Sequence, residues 1–227
     1  ETLTELLRFK SSTNDGYSSL RNYIDRMQKD QKTIYYITGT NETTLRQSPL
    51  LEMYREKNIE VLILHDEIDE IIIPSIPKYK DFDLKSVNRS GAADELQDES
   101  DKQKEQDLKP LIKKIKTVLG DKVKDVKSSN RLSDSPSCIV ADENDPTSQM
   151  QEIMKAMGQS GNMDIKPILE INPKHQIVVK LKSMRKGKAF DDASFLLYEQ
   201  ALLQEGVKLD NPAGFVKRLN TIMEKAL

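Results

Sequence analysis

KTIYYITGTNETTLRQSPLLEMYREKNIEVLIL, Lys32 to Leu64, is the stretch whose reading decides the fold. It opens with β-branched and aromatic residues and stops at Gly39, the pattern of a strand ended by a turn. It closes with IEVLIL (Ile59–Leu64), the continuous apolar run expected of a strand covered on both faces. Between them, NETTLRQSPLLEMYREKN reads as one or two short helices, with Ser48-Pro49 as an internal cap and first-turn pair. Strand, helix, strand over about thirty residues is a βαβ unit, so the two strands are expected to be parallel with a right-handed crossover.

Upstream, Leu3 to Phe9 has the three-four spacing of a helix. SSTNDGYSS breaks it, and SLRNYIDRMQKDQ places Leu20, Tyr23, Ile24 and Met27 on one helical face. Downstream, DEIDEIIIPSIPKY predicts a short helix broken at Pro74 and Pro77. Val87–Gln106 contains almost no large apolar residue and is dense in acids. It reads as a solvated linker or helix and is the natural domain boundary.

Beyond it, Leu108, Leu111, Ile112, Ile115, Val118 and Leu119 line one face of a helix that Gly120 ends. DKVKDVKSS, SCIVAD and PILEI read as three strands. Asn172-Pro173 is expected to cap a helix over KHQIVVKLKSM. AFDDASFLLYEQALLQEG is apolar on most of its circumference. The helix opened by Asn211-Pro212 carries Phe215, Val216, Leu219, Ile222, Met223, Ala226 and Leu227 on one stripe.

The expected fold is therefore α/β plus α+β. Residues 1–86 form a small α/β layer with a helical front segment, 87–106 a polar linker or helix, and 107–227 an α+β domain ending in a helix pair. Two such pairs would cover each other's apolar faces as the four-helix bundle of a homodimer. The predicted interface is Phe195, Leu196, Tyr198, Leu202, Leu203, Phe215, Leu219, Ile222 and Met223. The competing arrangement packs both helices on the same domain's sheet.

The chain has 227 residues, of which 37% are apolar and 32% charged, with a mean hydropathy of −0.62. Its 35 basic and 37 acidic residues leave a net charge of −2, so no global field draws it to nucleic acid or anionic lipid. No apolar run approaches the roughly 20 residues that span a bilayer. The lone Cys138 excludes an intrachain disulfide and suits a reducing compartment. The chain opens in helical pattern with no signal peptide, which reads as a fragment of something longer.

Reactive chemistry is hard to find. Neither a dinucleotide turn nor a phosphate loop is present. His65 and His175 lie far apart without a second ligand at metal spacing, and Cys138 sits inside a β-branched strand, where cysteine acts as a small hydrophobe. His65 beside Asp66 allows a dyad to be imagined; a strand-end histidine is the plainer reading. Since ligands often sit at the carboxyl ends of parallel strands, an α/β binding or enzymatic module using Gly39 and His65 is the alternative function.

SLRNYIDRMQKDQKTIYYITG (Ser19–Gly39), IEVLILHDEIDE (Ile59–Glu70), VKSSNRLSDSPSCIV (Val126–Val140), LEINPKH (Leu169–His175), then ALLQEG and NPAGFVKRLN, occur in this order. Together they resemble the ninety-kilodalton heat-shock chaperone family, in its bacterial HtpG branch, over almost the whole chain. The resemblance implies the last part of a middle domain plus the C-terminal dimerisation domain of an ATP-dependent chaperone. It implies that ATP and magnesium bind in an N-terminal domain upstream of Glu1. The chain itself would then hold no cofactor, carry no catalytic residue and not be an enzyme. Implied partners are a second copy, non-native client proteins and the bacterial seventy-kilodalton chaperone system, with no nucleic acid or membrane. The ending IMEKAL, lacking the acidic and retention tails of eukaryotic members, implies a bacterial cytoplasmic protein.

TSQMQEIMKAMGQSGNM (Thr147–Met163) holds four of the eight methionines. Ser148 and Gln151 fit a capping box and Gly158 a C′ position, so a helix would place Met150, Ile153, Met154 and Met157 on one stripe. Periodicity alone favours a core stripe, since burying each side chain contributes about 1.5–3 kcal/mol. The resemblance reverses this and implies a client-facing element, a task suited to the adaptable methionine side chain. It also implies a second client contact at Ile71 and Ile72, where bacterial relatives often carry a tryptophan in place of Ile71.

Overall fold

The two strands of the deciding stretch do pair in parallel. In the computed structural model, which describes residues 4–96, 99–158 and 165–226, β2 (Thr33–Thr38) lies beside β3 (Val61–Leu64), with Tyr35 opposite Val61 and Thr38 opposite Leu64. Every residue of both strands is buried, which is why neither alternates polar with apolar. They are joined through α2 (Glu42–Arg46), a 3-10 turn at Pro49–Leu51 and α3 (Glu52–Glu56). The Ser48 hydroxyl accepts from the Leu50 N–H at 3.2 Å, the cap expected there. A Cβ on Gly39 would lie 2.5 Å from Leu45 Cδ2, so any larger residue would force the Leu45 side chain to move.

Three more strands give the sheet order β1-β3-β2-β5-β4. β1 (Lys10–Ser11) runs antiparallel to β3, β5 (Phe82–Ser86) parallel to β2, and β4 (Lys78–Tyr79) antiparallel to β5. The helix expected over Leu3–Phe9 is corrected: a 3-10 turn at Thr4–Leu6 gives way to a Phe9–Ser18 bridge and then to β1. The free edge of buried β3 needs backbone partners, and pairing there outweighs a weak local helical spacing. Outside the sheet, α1 (Leu20–Arg26) buries Leu20 and Tyr23, and α4 (Glu67–Ile72) ends in the 3-10 turn at Ile73–Ser75 that carries Pro74.

The second half begins with α5 (Glu99–Leu119), which starts earlier than its apolar stripe and ends at Gly120 with φ +54°. Leu108, Leu111, Ile115 and Leu119 are buried against a three-stranded sheet, with β8 (Ile168–Ile171) between parallel β6 (Asp125–Ser128) and antiparallel β7 (Ser137–Val140). α7 (Gln176–Ser183), α8 (Lys188–Gln204) and α9 (Pro212–Ala226) follow. The α7 cap is His175, whose Nδ1 accepts from the Ile177 N–H at 3.2 Å. Asn172, expected in that role, is instead buried and donates to the carbonyls of Ser133 and Ser135 at 3.0 Å.

The stretch 87–106, expected to be solvated throughout, divides in two. Val87, Asn88, Ser90, Ala92 and Ala93 are buried, and Arg89 bridges to Ala141. Small side chains and backbone pairing make this segment a joint between the two sheets, so its lack of large apolar residues reflects tight space rather than exposure. Arg131, fully buried, fastens the joint: it donates to the Val87 carbonyl at 2.6 Å and the Arg89 carbonyl at 3.0 Å, and pairs with Glu170 at 3.0 Å. Burial of this charge is offset by that pair and those carbonyls.

Candidate functional site

α6 (Ser148–Ala156) is the methionine helix, and none of its residues is buried. Met150, Ile153 and Met154 are half-buried, and Met157, just past the helix, is 63% exposed. The pattern that allowed a core stripe thus belongs to a surface helix. Its cap sits one residue before the expected Ser148: the Thr147 Oγ1 accepts from the Met150 N–H at 3.1 Å. Gln151 completes the box differently, its Nε2 donating to the Pro146 carbonyl at 3.3 Å. Gly158, at φ +73°, supplies the left-handed residue that ends the helix.

α4 lies against α6. Its Ile71 and Ile72 are 44% and 41% exposed, and Ile68 more so, while Glu70 between them is buried. The Thr147 hydroxyl donates to the Glu70 carboxylate, so the α6 cap is itself held by α4. Ile71, Ile72 and the methionines, far apart in sequence, therefore share one surface region. The Glu70–Thr147 link has no periodic signature.

The loop that delivers α6 is held by a set of polar groups. Arg89 Nη1 donates to the carbonyls of Asp142, Glu143 and Asp145 at 3.3, 2.8 and 2.6 Å. Lys124 pairs with the carboxylates of Asp142 at 2.6 Å and Asp145 at 2.7 Å. The Lys124 ammonium and the Glu143 N–H hold the Asp142 carboxyl down to about 2. Neither Arg89 nor Lys124 had any signal in the sequence.

The end helices form a second surface. Arg218 of α9 pairs with buried Glu199 of α8, Nε to Oε2 at 3.1 Å, and its guanidinium lies 5.1 Å from the Phe195 ring centroid. With α8 and α9 clamped this way, Leu203, Val216, Leu219 and Met223 are exposed, and Leu196, Phe215 and Ile222 half-buried. Phe195 and Leu202 lean on the chain's own core. Tyr198 is a correction: it was expected on the interface but is buried in that core, because its face of α8 meets the second sheet.

Gly39 and His65 stand at adjacent strand ends, the Gly39 N–H donating to the Leu64 carbonyl at 3.1 Å, but they do not line a common cleft. Gly39 borders a cleft of about 550 Å³ with Asn41, Asn88, Thr147 and Glu205, whereas His65 lies outside it and contacts Asp66 at 3.5 Å. Burial pushes the Glu205 carboxyl up to about 7, with the Ser48 hydroxyl 3.5 Å away. Cys138 is buried in β7, and burial raises its thiol. Among the described residues, no group of three or more His, Cys, Asp or Glu is placed to hold a metal, and no helix is long and apolar enough to cross a membrane.

The family model for the Hsp90 protein matches residues 1–227. The chain belongs to the Hsp90 family. It is 54% identical over 231 residues to the chaperone protein HtpG of Treponema denticola, covering 98% of this chain and 36% of that protein. The HtpG of Treponema pallidum is 47% identical over 233 residues, at 99% and 36% coverage, and that of Borrelia garinii subsp. bavariensis 44% over 227 residues, at 100% and 36%. The chain thus spans 36% of the length of these Hsp90-family relatives, which are heat-shock chaperones of the HtpG type.

Membership corrects two expectations. The resemblance implies a chain that is not an enzyme and has no cofactor, with ATP and magnesium in an N-terminal domain upstream of Glu1. The Hsp90 match runs through the whole of residues 1–227. Family membership over the whole chain leaves no ground for excluding enzymatic activity or a nucleotide.

Proposed function

We propose that this chain provides homodimerisation and part of the client-protein surface of an ATP-dependent Hsp90-type chaperone. It corresponds in this reading to the last part of the middle domain and the dimerisation domain. The observation that carries it is the methionine helix, a capped element with four apolar side chains on one stripe and no buried residue. A helix of that composition left at the surface, beside exposed Ile71 and Ile72, suits a partner of variable shape. The exposed side chains Leu203, Val216, Leu219 and Met223 support the second copy as the partner of the end helices, in a four-helix bundle. Clients in this reading are non-native proteins, and the seventy-kilodalton chaperone system is a further partner.

Met154→Asp with Met157→Asp tests the client surface. The double variant is expected to keep its fold and to lose most suppression of aggregation of a thermally unfolded protein. Undiminished suppression by a folded variant would make the stripe structural. Sedimentation at micromolar concentration is expected to show a dimer that Leu219→Asp with Met223→Asp converts to monomer. A parent chain that stays monomeric at high concentration refutes that part.

A further inference from the structure

We infer that Arg89 is a positioning residue for the methionine helix, acting through the loop Ala141–Pro146. No residue of α6 is fully buried and its main helix neighbour is α4, so packing into a core does not set its direction. Its direction is inherited from the residues just before it. One guanidinium nitrogen of Arg89 holds three carbonyls of that loop, those of Asp142, Glu143 and Asp145.

Arg89 is itself immobilised. Its carbonyl accepts from buried Arg131, and its neighbour Ser90 donates through its N–H to the Ala141 carbonyl at 2.8 Å. The backbone bridge between Arg89 and Ala141 continues this pairing. The joint between the sheets therefore reaches the base of α6 chiefly through Arg89, with the Ser90 hydroxyl adding one bond to the Asp142 carboxylate at 3.2 Å. Charge-assisted hydrogen bonds of this kind are stronger than neutral ones, and a guanidinium is more weakly hydrated than an ammonium and so more easily held among carbonyls. The functional consequence rests on the client reading of α6: Arg89 sets the angle at which the methionine face is offered, while the face itself stays free to adapt.

The test is amide hydrogen exchange in the dimer or monomer that the full chain forms. In Arg89→Ala the amides of Met150–Met157 are expected to exchange about tenfold faster, while those of β8 keep their protection. Arg89→Lys retains the charge but shifts the donor nitrogen from the position of Nη1, and is expected to show a smaller but clear acceleration in α6. It also keeps the question open to refutation if Arg89→Ala does not fold. Unchanged α6 protection in either folded variant, or equal acceleration in β8, overturns the inference. Aggregation suppression is read separately. Faster α6 exchange with a changed level of suppression supports both readings. Faster α6 exchange with suppression at the parent level keeps the positioning role and refutes the client reading.

Discussion

The helices α6 and α8 are both apolar, yet they are used in opposite ways. α8 buries Phe190, Ser194, Leu197, Tyr198, Glu199 and Ala201, and its position follows from packing on the second sheet. α6 has no fully buried residue, its Met150, Ile153 and Met154 being only half-buried, and it is held at its base by Arg89, Lys124 and Glu70. An apolar stripe states only that a helix has a face to cover. Whether the cover is the chain's own sheet or something outside it depends on what stands opposite.

That comparison can be broken by mutation. Phe190→Ala, at a site with 0% exposure, is expected to cost about 3–5 kcal/mol in urea unfolding, the range for a large core side chain. A cost near zero would mean that α8 is not held by packing. Glu205, which closes the C-terminus of α8, carries the next effect. Its folded carboxyl sits at about 7, above the ordinary carboxylate value, so its neutral form is the one the fold favours. The associated stability is fully present at acid pH, below the ordinary value, and is lost as pH rises through about 7. Glu205→Gln is expected to flatten the fall in stability between about pH 5 and pH 8, measured by denaturation at both. The same slope with and without the substitution would place that carboxyl in water. The smallest effect belongs to α6. Met154→Ala is expected to change unfolding stability by less than about 1 kcal/mol, as for a surface site, and a core-sized loss would erase the contrast with α8.

Legibility followed the same division. β2 and β3 were readable because two buried apolar runs, a glycine and a capped crossover all point to one arrangement. β1 and β5 were not. Lys10–Ser11 is too short to carry a pattern, and Phe82–Ser86 alternates with charged residues while pairing with a strand more than forty residues away. The joint at Val87–Ala93 was missed because small and polar residues look solvated in sequence, although Asn88 donates through its Nδ2 to the Thr38 carbonyl at 3.1 Å inside the fold. Of the candidate surface, Met150, Ile153, Met154, Met157, Ile71 and Ile72 were all named from the sequence. Arg89 and Glu70, which bring them into place, were not, because each acts on residues more than fifty positions distant.

The sequence by itself determined the parallel βαβ unit, the strands β6, β7 and β8, the existence of the methionine stripe and the two end helices. Each depends on local spacing, caps and breakers, which neighbouring residues impose on one another. Tertiary structure alone decided that the stripe lies outside the core, that Tyr198 lies within it, and that the two halves meet at a buried arginine. Those outcomes are set by which distant surface a side chain meets, and local spacing carries no record of that.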